Sequence, residues 1–499
     1  MPDPVTLTAI RPPFPVMPPG HPLDPYVPSA AKPWNARRVA HLYRRLGFGA
    51  TLAQIQQGLQ MSPADLVDQL LDGAANLDLP APFYWSGWTA AQYEADPDPD
   101  IRFAHRDELR RSWFNSMLDG GVRAKFALFW HNHFVTELDT YDCNAYLWQY
   151  FTMLHEHAFG NFRTFVREMG KSPAMLVYLN GNLNVAGEPN ENYARELMEL
   201  FTMGESNGYT QADIVEMARA MTGWQVDMYE CTPPYYAANL HDNGSKTIFG
   251  QASNYTFTSA HNLIFTLRAE QVSRFIPGKI YKNFVYQTPD NQVIEGLATT
   301  FKDGNWEIMP MLKQLFKSEH FFEERNLNAR LKNPIESMVP IFKMAGATSA
   351  DIENDWWDAI GYWSYELGQE VFNPSNVAGW PGHRKWINES TLTTRWSYSS
   401  GTVYLLTESE TLRENLRSLA QTLTNDSQNP LLVTLVLAEF FLGQDLEPIH
   451  QQAAVNYFKS GIPENYYQDG SWSLYWDEAP YQIANLLYYL VRLPEFQLT

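Results

Sequence analysis

KSPAMLVYLNGNLNVAGEPNENYARELMELFTMGESNGYTQADIVEMARAMTGW, Lys171 to Trp224, is the stretch that decides the fold. It opens on a short apolar helix, Ser172 to Tyr178, followed by an Asn- and Gly-rich loop, Leu179 to Pro189. Asn190 to Met203 then reads as a helix closed by Gly204. With Asn190 as its N-cap, Glu191 and Asn192 fall in the first turn, where acceptors offset free N–H groups and suit the dipole. Leu197, Leu200 and Phe201, with Tyr193 and Ala194, make an apolar stripe toward a core. Thr210 and Asp213 stand at capping-box spacing, and Ile214, Met217, Ala218 and Met221 continue at helical spacing to a stop at Gly223.

Working outward, the same helical periodicity recurs on both sides. ARRVAHLYRRLGFG begins it near Asn35, and Tyr481 to Leu493 ends it. Residues 72–102 read as a long surface loop with one short helical piece. Ala269 to Phe284 reads as a helix that Pro277 and Gly278 can kink or divide. Residues 225–250 change to short strands or a hairpin. FNPSNVAGWPGHRKWINES, Phe372 to Ser390, is a Gly/Pro-rich loop, and order resumes over Thr391 to Trp396. The expected fold is mainly α: one large, irregular helical domain over residues 35–499, with a small β-hairpin insertion and long ordered loops. Residues 1–34 are rich in proline and read as a tail or surface strap.

Lys plus Arg number 36 against 56 Asp plus Glu, a net charge of −20. So acidic a chain disfavours nucleic acid and anionic lipid as partners. It also weighs against a polyanionic substrate, although one buried basic pocket would escape that argument. No run is long and apolar enough for a membrane span. The amino end lacks a signal peptide's basic and apolar regions, which favours the cytoplasm for the chain as it stands. Cys143 and Cys231 belong to no CxxC pair, and whether they bond to each other is left open.

An ordered series of segments resembles a large bacterial family, the domain of unknown function DUF1800. The series runs HLYRRLGFGAT at His41–Thr51, KFALFWHNHFVT at Lys125–Thr136, and the central stretch. It continues through HDNGSKTIFG at His241–Gly250, RFIPGKIYKNFV at Arg274–Val285, KNPIE at Lys332–Glu336 and NPSNVAGWPGHRKWIN at Asn373–Asn388. The resemblance spans roughly residues 37–499 and supports a single domain. It carries no agreed activity. It implies export, and a DUF1501-like protein, similar to alkaline-phosphatase and sulfatase relatives, as a partner.

The candidate chemistry is polar and dispersed. His131 and His133 in WHNHF are candidate metal ligands, with Glu196 and Glu199 as carboxylate partners. Two residues apart on an ideal helix means about 200° apart, so the histidines converge only where the helix ends or bends. The alternative is structural: one imidazole bonds a helix end and the other stacks among aromatics. Any metal would be a divalent or transition ion of open identity, activating water or polarising oxygen. Glu191 and Arg195 are four apart, and Glu196 and Glu199 three apart, so these side chains can converge at a cleft or merely tie helices together. Arg195 and Arg219 can orient an anionic or carbonyl group. His241 and Asp242 can act as acid and base, with Lys246 binding an anion, or can simply form a turn. Trp380 and Trp386 can stack on a sugar or anchor their loop. HExxH, a nucleophile elbow, a phosphate loop and a dinucleotide fingerprint are all missing. Two functions therefore compete. One is a metal- or carboxylate-assisted enzyme working by hydrolysis or redox chemistry on a small or carbohydrate-like substrate. The other is a non-catalytic binding or assembly protein for a partner protein or a polysaccharide.

Overall fold

In the computed structural model, which describes residues 20–499, the Val122–His133 helix runs through the middle of the core. Every side chain on it except Asn132 is buried. A helix with no solvent face must be surrounded. Ala36–Leu46, Pro63–Ala75, Ile101–Asp119 and Asn144–Glu156 pack against it. Trp130 is fully buried, stacks with Phe134 and Phe162, and donates its indole N–H to the Ala158 carbonyl at 2.9 Å. A tryptophan placed this way keeps both its apolar face and its polar handle satisfied.

A C-terminal bundle is formed by Glu389–Glu408, Glu410–Thr424, Pro430–Leu442, Pro448–Lys459 and Ala479–Leu490. The Pro334–Met344 helix joins this bundle to the rest by packing on both Glu389–Glu408 and Ile101–Asp119. KNPIE explains how that helix starts. Asn333 is the N-cap, Pro334 occupies the first turn, and Glu336 returns a hydrogen bond to the Asn333 N–H at 2.9 Å. The same carboxylate, 3% exposed as a residue, also pairs with Lys125 and Arg330. Burial alone pushes its pKa up, but the two cations outweigh burial and hold it well below the usual carboxylate range.

Two further buried cations close helix ends. Arg44 donates to the carbonyls of Phe440, Phe441 and Leu442, at the end of Pro430–Leu442. Arg45 donates to Phe284 and Val285, at the end of Ala269–Phe284. The last carbonyls of a helix lack intrahelical donors and carry negative partial charge, so guanidinium groups suit them. Gly443 is required here, because a Cβ at that residue would lie 1.6 Å from Arg44 Nη1.

The central stretch departs from its expected uninterrupted helix. The α-helix covers only Asn192–Glu196, and Leu197–Thr202 is a π-helix. The start is later because Asn190 Oδ1 accepts from Asn192 N–H in a local turn. The widening comes where the Met203 N–H reaches back five residues to the Met198 carbonyl and the Thr202 hydroxyl takes Leu197. The capping box at Thr210 and Asp213 forms as its spacing predicts. Pro277 does not divide Ala269–Phe284, which runs as one helix.

The insertion resolves into two antiparallel hairpins: Trp224–Gln225 with Tyr235–Tyr236, and Lys246–Ile248 with Gln251–Ser253. The order expected at Thr391 to Trp396 extends to a 20-residue helix, Glu389–Glu408. Its Ser/Thr-rich face hides the periodicity, and packing against Pro334–Met344 and Ala479–Leu490 decides it. Cys143 and Cys231 form a disulfide that ties the insertion to the start of Asn144–Glu156. Of the proline-rich strap, residues 1–19 lie outside the described residues. Residues 20–34 run along the surface, where Tyr26 N–H bonds to the Lys317 carbonyl at 2.8 Å. Among the described residues no helix is long and apolar enough to cross a membrane.

Removing the charge at Glu336 leaves two buried cations unpaired. Glu336→Gln should therefore cost about 3–5 kcal/mol of stability in chemical denaturation. A loss below about 1 kcal/mol would show that the ion pairs are not integral to the fold. Thiol titration of the denatured, unreduced protein should detect no free thiol, and both thiols after reduction.

Candidate functional site

The Val122–His133 helix ends in three polar side chains that share no partner. His131 Nε2 accepts the Phe372 backbone N–H at 3.1 Å, so its proton sits on Nδ1 and is donated to the Tyr150 hydroxyl at 2.7 Å. Tyr150 passes its own proton to the Phe134 carbonyl at 2.8 Å. Burial lowers the His131 pKa to about 3. His133 donates from Nε2 to the Phe201 carbonyl at 3.0 Å, among the rings of Phe129, Trp130 and Phe134. Burial, helped by the charge of Lys279, keeps it well below the usual histidine value. The two imidazoles thus serve separate networks, and His133 Nδ1 is buried without a partner among the described residues.

Between them, Asn132 faces the Phe372–Ser390 loop. Its Oδ1 accepts the Trp380 backbone N–H at 2.6 Å. Gly379 makes this approach feasible: its φ is +85°, and a Cβ there would lie 2.3 Å from Asn132 Oδ1. The loop so docked roofs a cavity of about 270 Å³. The floor comes from Lys125, Leu128 and Phe129 of the central helix and from Lys279, Lys282 and Asn283 of Ala269–Phe284. Arg330, Asn333 and Gln369 close one side, and Trp380, His383 and Trp386 the other.

Cations dominate this cavity. Lys125, Lys279, Lys282 and Arg330 line it, and no Asp or Glu does so among the described residues. Glu336 lies behind Lys125 and Arg330. Burial lowers Lys125 to about 8 against the pull of Glu336, and lowers Lys279 to about 8 with help from Lys282. His383 is lowered by burial and by Arg330. On the side chains lining the cavity, two buried donors have no partner among the described residues: the Trp380 indole N–H and Arg330 Nε. Lys279 also bonds at 3.4 Å to the Leu200 carbonyl, one of the free carbonyls at the end of the π-helix. The central stretch and the basic cavity therefore share a side chain.

The other predicted residues lie in two places. Arg195 bridges Glu191 at 2.9 Å and Glu199 at 3.5 Å, and also donates to Gln211. Glu196, on the same helix, is half-buried and raised in pKa, first by burial and then by Glu199. Next to this lattice Tyr178 donates to Glu137 at 3.1 Å. In the HDNGSKT turn, Arg219 donates to Asp242 at 2.8 Å and to Glu216 at 2.9 Å, and Lys246 donates to the Asp242 carbonyl. His241 bonds to Thr222, and Asp242 Oδ1 accepts the Gly244 N–H at 2.8 Å. Glu216 and Asp213 accept the N–H groups of Thr247 and Phe249. The bonds of Arg219, Glu216 and Asp213 fasten the turn and the second hairpin to Gln211–Ala220, and the others hold the turn itself. Among the described residues no group of three or more His, Cys, Asp and Glu side chains is placed to hold a metal.

Trp380 and Trp386 are the sequence-predicted residues that reach the cavity. Lys125, Lys279, Lys282, Arg330 and His383 were missed. A signal was present: a lysine inside the apolar run KFALFW, and two more in PGKIYKNF, are cations at helix positions flanked by core residues. Only their convergence was invisible. Compared with known proteins, residues 41–498 match the model of a family described as Protein of unknown function (DUF1800). No curated protein and no solved structure matches the chain.

His131 is bonded on both ring nitrogens, so His131→Phe keeps the ring's bulk, leaves the Phe372 N–H unsatisfied and takes one donor from the Tyr150 oxygen, which still bonds to Phe134. The expected loss is about 1–3 kcal/mol in urea denaturation. Unchanged stability would mean these bonds carry no weight.

Proposed function

The chain belongs to the DUF1800 family, and on that premise we propose that it is a binding protein for a small organic anion seated in the basic cavity. The observation that carries this reading is the concentration of Lys125, Lys279, Lys282 and Arg330 on one cavity without a lining carboxylate, in a chain of net charge −20. Burying like charges together is costly unless something neutralises them. Glu336 neutralises part of that charge, and a bound anion would offset more. Trp386 and Phe129 give the walls an apolar component, as ligand sites generally have. The disulfide supports an oxidising compartment, in line with the export that the resemblance implies.

Calorimetric titration with inorganic phosphate, citrate and galacturonate tests the reading. Saturable binding of at least one anion is expected, weakening as salt rises. Lys282 is exposed, so Lys282→Glu should fold normally and weaken binding about tenfold or more. An absence of binding across the panel would sink the proposal. The pH dependence has a definite sign. Lys125 and Lys279 are charged below about 8 and neutral above it, while Lys282, Arg330 and His383, the last lowered in pKa by burial, face the same cavity. Anion affinity should therefore fall between about pH 7 and about pH 9.5, with bound anion shifting the fall upward.

A second reading, a carboxylate-assisted enzyme, is favoured by Glu196. A half-buried carboxyl raised by burial and by Glu199 suits a proton donor beside the Tyr178–Glu137 pair. Its metal-assisted form rests on the unpartnered Nδ1 of His133. Elemental analysis of untreated protein separates the forms. Stoichiometric metal that disappears from folded His133→Ala supports ligation, and metal retained by that variant removes His133 as a ligand.

A further inference from the structure

The basic cavity has a neighbour. A second cavity, of about 730 Å³, lies between the loop after Ala269–Phe284 and the segment Arg325–Leu331. His383 lines both. It sits at a constrained point of the chain: Gly382 has φ +66° and His383 itself φ +50°, a region where non-glycine residues are uncommon. Strain of this kind persists only where surrounding contacts hold it, and it concentrates at sites that clamp ligands.

The two cavities differ in chemistry. The inner one is cationic and, at about 270 Å³, slightly smaller than the roughly 300–1,000 Å³ of ordinary ligand pockets. The outer one falls well inside that range, and amides, phenols and the Thr288 hydroxyl line it together with Arg325, Arg384 and Asp290. Tyr286, Gln287 and Thr288 are exposed there, and their side chains bond to nothing among the described residues. Arg384 is likewise exposed and unpaired among them. A phenol ring, an amide, a hydroxyl and a guanidinium offer donors, acceptors and an apolar face together. That set matches a polar, uncharged, hydroxyl-rich body. It does not match a second concentrated anion, because Asp290 offsets Arg384 and Arg325 is paired with Glu323.

Taking the anion-binding reading as its basis, we infer that the ligand is an acidic oligosaccharide. Its charged group occupies the inner cavity, and its neutral sugar rings extend past His383 into the outer one. The charged group is a carboxylate or a phosphoryl, both of which the lysines and Arg330 can hold. The sugar rings then lie along Tyr286 and Thr288. This division assigns the inner cavity to charge and the outer one to length.

Calorimetry on the full chain with galacturonate, a trisaccharide of one galacturonate and two neutral glucose units, maltotriose and a phosphorylated maltotriose tests the assignment. The galacturonate-containing trisaccharide or phosphorylated maltotriose should bind at least tenfold tighter than galacturonate, with maltotriose far weaker than either. Whichever acidic trisaccharide shows the gain identifies the charged group. The double variant Tyr286→Ala, Thr288→Ala changes two exposed side chains, and its folding is checked by circular dichroism. It should erase the gain while leaving galacturonate affinity unchanged. Lys282→Ala should weaken every acidic ligand. If neither trisaccharide outbinds galacturonate, or if the double variant keeps the gain, the two-cavity assignment falls while the inner anion site stands. If phosphate, citrate and all the acidic sugars fail to bind, both fall together.

Discussion

Glu336 is the joint on which the rest of this molecule turns. A single carboxylate, almost wholly buried, pairs with Lys125 on the central helix and with Arg330 on the segment before its own helix, while capping that helix through Asn333. Buried pairs of this kind gain little over apolar packing, but breaking one is costly because the surviving charge has nowhere to go. The central helix, the Pro334–Met344 helix and the C-terminal bundle therefore hold their relative positions through it.

The same charge balance separates structural cations from those facing the cavity. Arg44 and Arg45 are held by the carbonyl ends of helices. Arg395 is spent on Gln497 and on the Lys332 carbonyl. Lys279 and Lys282 have no carboxylate partner among the described residues, and Lys125 and Arg330 share one between them. The excess is directed at one space. An acidic surface around a basic cavity also favours a ligand that is small or enters by one end, since long-range repulsion opposes a polyanion lying across the exterior.

Histidine in this protein is chiefly a neutral hydrogen-bonding aromatic. His131, His133, His155 and His261 are all buried and held below the ordinary value by desolvation. Where their ring nitrogens bond, they join loop backbone and tyrosine hydroxyls to the core. Such positions draw attention in a sequence because histidine so often marks chemistry. Here the geometry gives each a packing reason first.

The sequence by itself determined the helical character, because periodicity and caps are local. Thr210 with Asp213, Asn333 with Glu336 and the glycine stops need only a few residues to act. Its acidic total also weighed against anionic partners while leaving room for one buried basic pocket. The tertiary structure decided what no local rule reaches. It widened the Leu197–Thr202 turn, sent His131 and His133 to different partners, and bonded Cys143 to Cys231 across 88 residues. It also gathered Lys125, Lys279, Lys282 and Arg330, drawn from separate parts of the chain, around one cavity. The reason is physical: caps and amphipathic stripes are set by neighbours in sequence, whereas the cost of a buried charge depends on which distant groups come to surround it.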